Sequence, residues 1–214
     1  VYLPKAVPVT ELPDEIPTLT VGMYGKMDFY DIKGVVEHLM VVLGIGDRAE
    51  YTVETELPWM HPGRTASVVI DGVNVGYVGE LHPTVAKNYN IGTKVYLAVL
   101  NMEELIKASN MVNVYKPLPK YPAITRDIAM LVKEDVTVKQ IADEIRKNGG
   151  EYLEEVKLFD VYQGEQIEKG YKSVAYSISF RSAERTLADA DVADSMQAIL
   201  DGLAKELGAQ LRDK

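Results

Sequence analysis

The sequence predicts an α+β chain built from two antiparallel pieces, and three observations carry that expectation. Period-two alternation recurs, in "TASVVIDGVNVGYVGEL" and again in "YKSVAYSISFR", bounded by turn residues. Between such stretches lie segments of helical spacing with capping residues at their ends. Pro117, Pro119 and Pro122 crowd together and force extended geometry on their neighbours, which marks a boundary. The chain is accordingly divided into residues 1–116 and 117–214.

In the first piece "TLTVGMYG" reads as a strand, and Asp28 caps a helix to about Leu43, with Ile32, Val35, Val36, Leu39, Met40 and Leu43 at helical spacing. "AEYTVET", "TASVVIDG" and "VNVGYVGEL" follow as strands, the last two meeting across the hairpin signal Asp71-Gly72. A short helix from Pro83, the strand "KVYLAVLNM" and the helix "EELIKAS" complete this piece. It begins abruptly on a strand-like segment, as a cut from something longer would.

The second piece opens with the strand "TRDIAMLVK". A helix from Thr137 follows, its Val138, Ile141, Ala142 and Ile145 forming one apolar stripe closed by Asn148-Gly149-Gly150. The strands "YLEEVKLFDVY" and "YKSVAYSISFR" are joined by the polar loop "QGEQIEKG". A helix from about Asp189 to Leu207 turns Val192, Met196, Ile199, Leu200, Leu203 and Leu207 inward, and Gly208 releases the short strand "AQLR". The order is βαββαβ, the ferredoxin-like pattern in which two helices cover one face of a four-stranded sheet and leave the other open.

Alternation then sorts side chains between those faces. Val174, Tyr176, Ile178 and Phe180 face the helices, so Ser173, Ala175, Ser177, Ser179 and Arg181 face outward. Phe159 and Val161 read as a core pair, which puts Leu158, Asp160 and Tyr162 on the open side. Ile128, Met130, Val132 and Leu211 go inward; Ala129, Gln210 and Arg212 go outward. A phenol, a carboxylate, serines and arginines thus surround the small Ala129 and Ala175. Such a surface has room for a stacked ring, worth about 1–3 kcal/mol per base in single-stranded recognition, and Asp160 can accept from a base amino group. An antiparallel sheet also carries a solvated polar face with no ligand at all, and alternation leaves both readings open.

Composition bounds the function. With 47% apolar and 26% charged residues, 214 residues suffice for two small cores. The chain lacks the apolar run of a membrane span, and "VYLPKAVPVTELPDEIP" lacks the pattern of a secretory signal, so the expectation is a cytoplasmic protein with no membrane partner. Zero cysteines and three histidines (His38, His61, His82) make a metal centre unexpected. The net charge of -9 argues against a DNA-coating protein, because phosphate binding is carried by Lys and Arg. Any nucleic-acid contact must be local and shaped.

Other motifs read as structure. "HPGR" at His61–Arg64 is taken as a Pro-Gly turn leading into a strand, His82-Pro83 as a helix start, and Trp59 as a packing residue. Glu103-Glu104 and Glu154-Glu155 read as solvated faces, and "GMYGKMD" lacks the spacing of a P-loop. In "FRSAERT", Thr186 or Asp189 is expected to cap the last helix, with Arg181 and Arg185 exposed and available to phosphate.

The run "YPAITRDIAMLV", then "LFDVYQGEQIEKGYKSVAYSISFRSAERTLADADV" and "GAQLR", resembles the ferredoxin-fold anticodon-binding domain that ends bacterial phenylalanyl-tRNA synthetase beta subunits. In the first piece "MDFYDIKGVVEHLMVVLG", "HPGRTASVVIDGVNVGYVGELHPTVAKNYNI" and "VYLAVLNMEELI" resemble that subunit's catalytic-like domain, an inactive relative of the class II synthetase core. The resemblance implies recognition of the anticodon of phenylalanine tRNA. Ala129 and Tyr162 would sandwich its first base, Asp160 would read the base edge, and Ser173 and Arg212 would bond the neighbouring nucleotide or backbone. It further implies an alpha subunit as partner in an α2β2 heterotetramer, and aminoacylation with ATP and Mg carried out there, with no catalytic residue or cofactor in this chain. Ala188 stands where the family often has a Thr or Ser cap, a loss of about 1 kcal/mol in capping. A purely structural module, a small-molecule regulatory domain and an independent enzyme are the competing readings.

Overall fold

The computed structural model describes residues 2–112, 114–115, 117–164 and 166–212. It divides into two compact units, Val1–Tyr115 and Lys116–Lys214.

The first unit opens with a two-stranded ribbon of β1 (Tyr2–Leu3) and β2 (Asp14–Glu15). Its five-stranded antiparallel sheet contains β3 (Thr18–Tyr24), β4 (Ala49–Val53), β5 (Met60–Ile70), β6 (Val73–Leu81) and β7 (Val95–Asn101), in the order β3-β7-β6-β5-β4. The β5–β6 turn holds Asp71 at φ 49° and Gly72 at φ 80°, the doubly left-handed geometry that an Asp-Gly hairpin supplies at least cost. Helix α1 (Phe29–Val42) starts at a capping box in which Asp28 accepts from the Asp31 amide while Asp31 accepts from that of Asp28. Its Ile32, Val36 and Met40 are buried against Val68, Val78, Ala98 and Leu100 of the sheet. Helices α2 (Pro83–Asn88) and α3 (Met102–Ala108) flank β7, and His82 Nδ1 caps α2 by accepting from the Thr84 amide. The His61–Arg64 segment corrects one expectation. It is not a turn ahead of a strand but lies inside β5, where regular pairing lapses between Met60 and Thr65.

The second unit runs β8 (Ile124–Lys133), α4 (Val138–Asn148), β9 (Leu153–Tyr162), β10 (Tyr171–Phe180), α5 (Asp189–Leu207) and β11 (Gln210–Leu211). Its sheet order is β11-β8-β10-β9, wholly antiparallel. Thr137 caps α4 through the Gln140 amide. Ile141, Ile145, Val192, Ile199 and Leu203 of the helices close over Met130, Val132, Val174, Tyr176, Ile178 and Phe180. Helix α5 starts at Asp189 as expected, but its capping position is Ala188, where the resemblance put it, and not Thr186 or Asp189. An alanine offers no acceptor, and the compensation is one-sided: the Asp191 carboxylate accepts from the Ala188 amide at 2.7 Å.

Strand β9 departs most from simple alternation. Ala175 pairs with Asp160, yet the next residue, Tyr176, pairs with Leu158, so Phe159 is the extra residue of a β-bulge. Residues on either side of the bulge therefore fall on opposite parity. Val156 packs into the core and Leu158 follows Tyr176 onto the helix side, not the open side. Of the expected core pair, Phe159 is the bulged residue and 56% exposed, while Val161 pairs with Val174 on the helix side as expected but, on this edge strand, remains 47% exposed.

Candidate nucleic-acid interface

The uncovered face of the second sheet is laid out in rows, because directly paired residues of neighbouring strands share a face. One row is Asp160, Ala175 and Ala129, extended by Arg212, whose amide donates to the Ala129 carbonyl at 2.9 Å. The next is Tyr162, Ser173, Leu131 and Gln210. The rows stand roughly 7 Å apart, two residues of strand rise. Four of the sequence-selected residues, Ala129, Asp160, Tyr162 and Ser173, thus lie on adjacent rows, with Arg212 beside Ala129. The bulge matters here. It lets Asp160 and Tyr162 face outward while Val156, further down the same strand, still packs inward.

The floor of the patch is small and tight. Ala175 and Ser173 are buried even on this open side, being short residues between taller neighbours, whereas Asp160, Tyr162 and Arg212 are exposed around them. Among the described residues no hydrogen bond or ion pair engages the side chains of Asp160, Tyr162, Ser173 or Arg212. A flat aromatic guest would meet a phenol face, two alanine methyls, a carboxylate acceptor and a guanidinium, none already committed to the protein. Leu131 and Gln210 belong to the same surface. Their alternation with Ala129 and Arg212 was available in the sequence, but neither carries the chemistry that singles out a site.

The other two candidate arginines differ. Arg181 is only partly exposed; its Nε donates to both Glu154 oxygens at 2.8 and 2.9 Å, and the same guanidinium reaches the Tyr121 carbonyl. Arg185 donates through both terminal nitrogens to Asp191 at 2.7 Å each. That fork holds the Asp191 carboxyl down to about 2, helped by the Ala188 amide. Both cations are therefore partnered at home, away from the Asp160–Ala129 row.

In the first unit sequence reading missed a buried polar group. Glu80, 3% exposed, accepts from Arg64 at 2.9 Å and from the Tyr96 hydroxyl at 3.3 Å. Burial, and then the Glu80 carboxylate, push the Tyr96 phenol up. His61 turns its Nδ1 to the Gly63 amide, and Trp59, 44% exposed, donates to the Tyr77 hydroxyl at 3.1 Å. Among the described residues no three His, Cys, Asp or Glu side chains gather into a metal-binding group. Among the described residues no helix is long and apolar enough to cross a membrane.

Comparison with known proteins fits both units. Residues 119–212 match the ferredoxin-fold anticodon binding domain, and residues 1–102 match the phenylalanyl tRNA synthetase beta chain CLM domain. The chain is 47% identical over 201 residues to the phenylalanine–tRNA ligase beta subunit of Clostridium tetani, covering 94% of this chain and 25% of that protein. It is 42% identical over 202 residues to the beta subunit of Clostridium acetobutylicum, covering 94% and 25%. With that of Shouchella clausii it shares 38% over 224 residues, covering 99% and 28%. The chain spans about a quarter of the length of these relatives. With two different domain families matched in succession and such identity across nearly its whole length, the chain belongs to the phenylalanine–tRNA ligase beta-subunit family.

Proposed function

We propose that this chain reads the anticodon of phenylalanine tRNA on its open ferredoxin-like sheet and contributes to assembly with an alpha subunit in an α2β2 enzyme. The alpha subunit carries out the ATP- and Mg-dependent aminoacylation, in the cytoplasm. The observation that supports the reading best is the set of uncommitted groups, Asp160, Tyr162, Ser173 and Arg212, around a floor of small side chains. Tyr162 and Ala129 sandwich the first anticodon base, and Asp160 accepts from its edge. Ser173 and Arg212 hold the neighbouring nucleotide or phosphate, which fixes register without specifying sequence. Arg181 and Arg185 are further candidates for phosphate, at the expense of their present partners.

Titrating the chain with a phenylalanine anticodon stem-loop, and with the same loop altered at the first anticodon base, tests this. The expected result is a preference for the cognate loop that Tyr162→Ala removes, with affinity in the micromolar range or weaker and steeply salt-dependent, as befits an acidic chain. Equal binding to both loops would leave only assembly.

Helix α1 supports the assembly half. Beyond its buried stripe it presents Tyr30, Val35, Val41 and Val42, 76%, 40%, 64% and 56% exposed, with open space beside Gly34. A helix apolar on both sides is one that expects a second partner. Val41→Glu should prevent co-purification with the alpha subunit and leave stem-loop preference untouched.

A further inference from the structure

We propose that Gly164 is a positioning residue for Tyr162, leaving the space in which the phenol end of the ring stands and so fixing the ring for base stacking. The inference rests on the anticodon-reading role proposed above and adds to it a residue outside the sheet. A Cβ placed on Gly164 would lie 2.2 Å from Tyr162 Oη, 2.4 Å from Cζ and 3.1 Å from Cε1. Carbon atoms do not approach that closely, so any side chain at 164 must displace something. The movable object is the tip of the tyrosine.

The backbone does not explain this glycine. Gly164 is absent from the glycines with positive φ, so an alanine can adopt its conformation. Gly170, at the far end of the same loop, is the opposite case: its φ is 89° and open space surrounds it. One glycine serves the chain path, the other serves Tyr162. Gly164 is itself held, since its carbonyl accepts from the Ile167 amide at 2.9 Å. Tyr162 lies at the end of an edge strand, 39% exposed, and among the described residues its hydroxyl makes no hydrogen bond. Packing alone sets where its ring stands, and the turn at Gly164 is the close neighbour at the tip. Stacking depends on where a ring plane lies, so a shift of this ring costs selectivity without touching Asp160 or Ala129.

The test is a double-mutant cycle on the full chain with Tyr162→Ala, Gly164→Ala and both together, titrated with the cognate stem-loop and the loop changed at the first anticodon base. Tyr162→Ala should lower the preference ratio about tenfold, within the range stacking supplies. Gly164→Ala alone should lower it at least a few-fold, on the order of half the logarithmic effect of Tyr162→Ala. The double variant should fall no further than Tyr162→Ala. In the free protein Gly164→Ala should shift the Tyr162 ring resonances with no change in melting temperature. Full preference in Gly164→Ala, or losses that multiply in the double variant, would overturn the proposal and leave the base site standing. An unaltered preference in Tyr162→Ala would instead remove the base site, and the role of Gly164 with it. If Gly164→Ala destabilises the chain, the Tyr162→Ala background decides: equal destabilisation there makes the glycine a folding requirement and overturns the proposal, while relief there supports it.

Discussion

The two sheets differ in how the polar side chains of their helix-free faces are engaged, although Thr125 and Ser179 near one end of the second sheet meet hydroxyl to hydroxyl at 3.4 Å. On the five-stranded sheet Thr65 donates to the His61 carbonyl at 2.7 Å, Ser67 donates to Glu54 at 2.7 Å, and Asn74 donates to Ser67 at 3.3 Å. Thr65 and Ser67 are buried, and their hydroxyls are used internally. On the four-stranded sheet Asp160, Tyr162 and Arg212 stand exposed with no such partner among the described residues. A polar group satisfied at home has little to offer a ligand, because binding exchanges one hydrogen bond for another. One satisfied against water alone loses less on being bound. The difference supports the proposal of a recognition surface on the second unit and gives Thr65, Ser67 and Asn74 of the first unit a structural role.

The largest expected effect tests that division at Glu80. Glu80→Ala removes the acceptor of the buried Tyr96 hydroxyl and the partner of Arg64. The expected cost is about 2–3 kcal/mol, below that of a fully buried pair because Arg64 is half exposed. In a urea titration the unfolding of the first unit should shift to lower denaturant while stem-loop preference stays constant. A lost preference with stability intact would break the comparison.

Tyr176 sharpens it from within the second unit, being a buried phenol on the helix side of the same sheet whose open side carries Tyr162. Its hydroxyl donates to the Val138 carbonyl at 2.6 Å, and burial pushes its pKa up to about 12. The unfolded chain ionises this group near pH ~10. Its stabilising contribution is therefore complete below about pH 10 and is lost as pH rises toward about 12, on the order of 2 kcal/mol. Tyr176→Phe should flatten that alkaline limb, which denaturant melts across the range would reveal, and should leave the stem-loop preference at neutral pH unchanged.

A smaller effect is expected at Ala188, where an unmade hydrogen bond belongs to the fold and not to a ligand. Its backbone is already extended, at φ -103° and ψ 164°, as a capping residue requires. Ala188→Ser supplies the missing acceptor to the first turn of α5 and should raise the stability of the second unit by about 1 kcal/mol with no effect on stem-loop binding.

These cases also show what the sequence made legible. Val174, Tyr176, Ile178 and Phe180 were assignable to the core because β10 alternates without interruption along their length, and all four are buried. Asp28 was assignable as a cap because its partner Asp31 lies within one turn. Leu158 and Phe159 were not assignable. A bulge shifts parity by one residue, and nothing in "LFDVY" distinguishes a bulged phenylalanine from a buried one. Glu80, alternating with Val78, pointed at the core, but Arg64 and Tyr96 are brought to it only by the pairing of three strands. The candidate site residues stood out because small residues and a phenol share one parity, Asp160 and Tyr162 lying together on one side of the bulge. Gly164 was invisible because its role is a contact from a loop.

The smallest effect concerns the arginines that the sequence presented as free cations. Arg185 holds the Asp191 carboxyl at about 2, below the value of ~3.9 for an unperturbed aspartate. The sign follows: a depressed folded pKa gives stability that is present above about pH 4 and is lost as pH falls through about 2. The Arg185 side of the pair is half exposed, so the loss is slight, and it should vanish in Arg185→Ala when acid unfolding is followed by circular dichroism. The same variant discriminates the two roles of this arginine. If the fork to Asp191 is its whole purpose, stem-loop affinity is unchanged; if it also reaches phosphate, cognate and altered loops weaken by the same factor and the salt dependence flattens by about one ion. Either result leaves the preference ratio where Tyr162 set it, since a phosphate contact carries no base information.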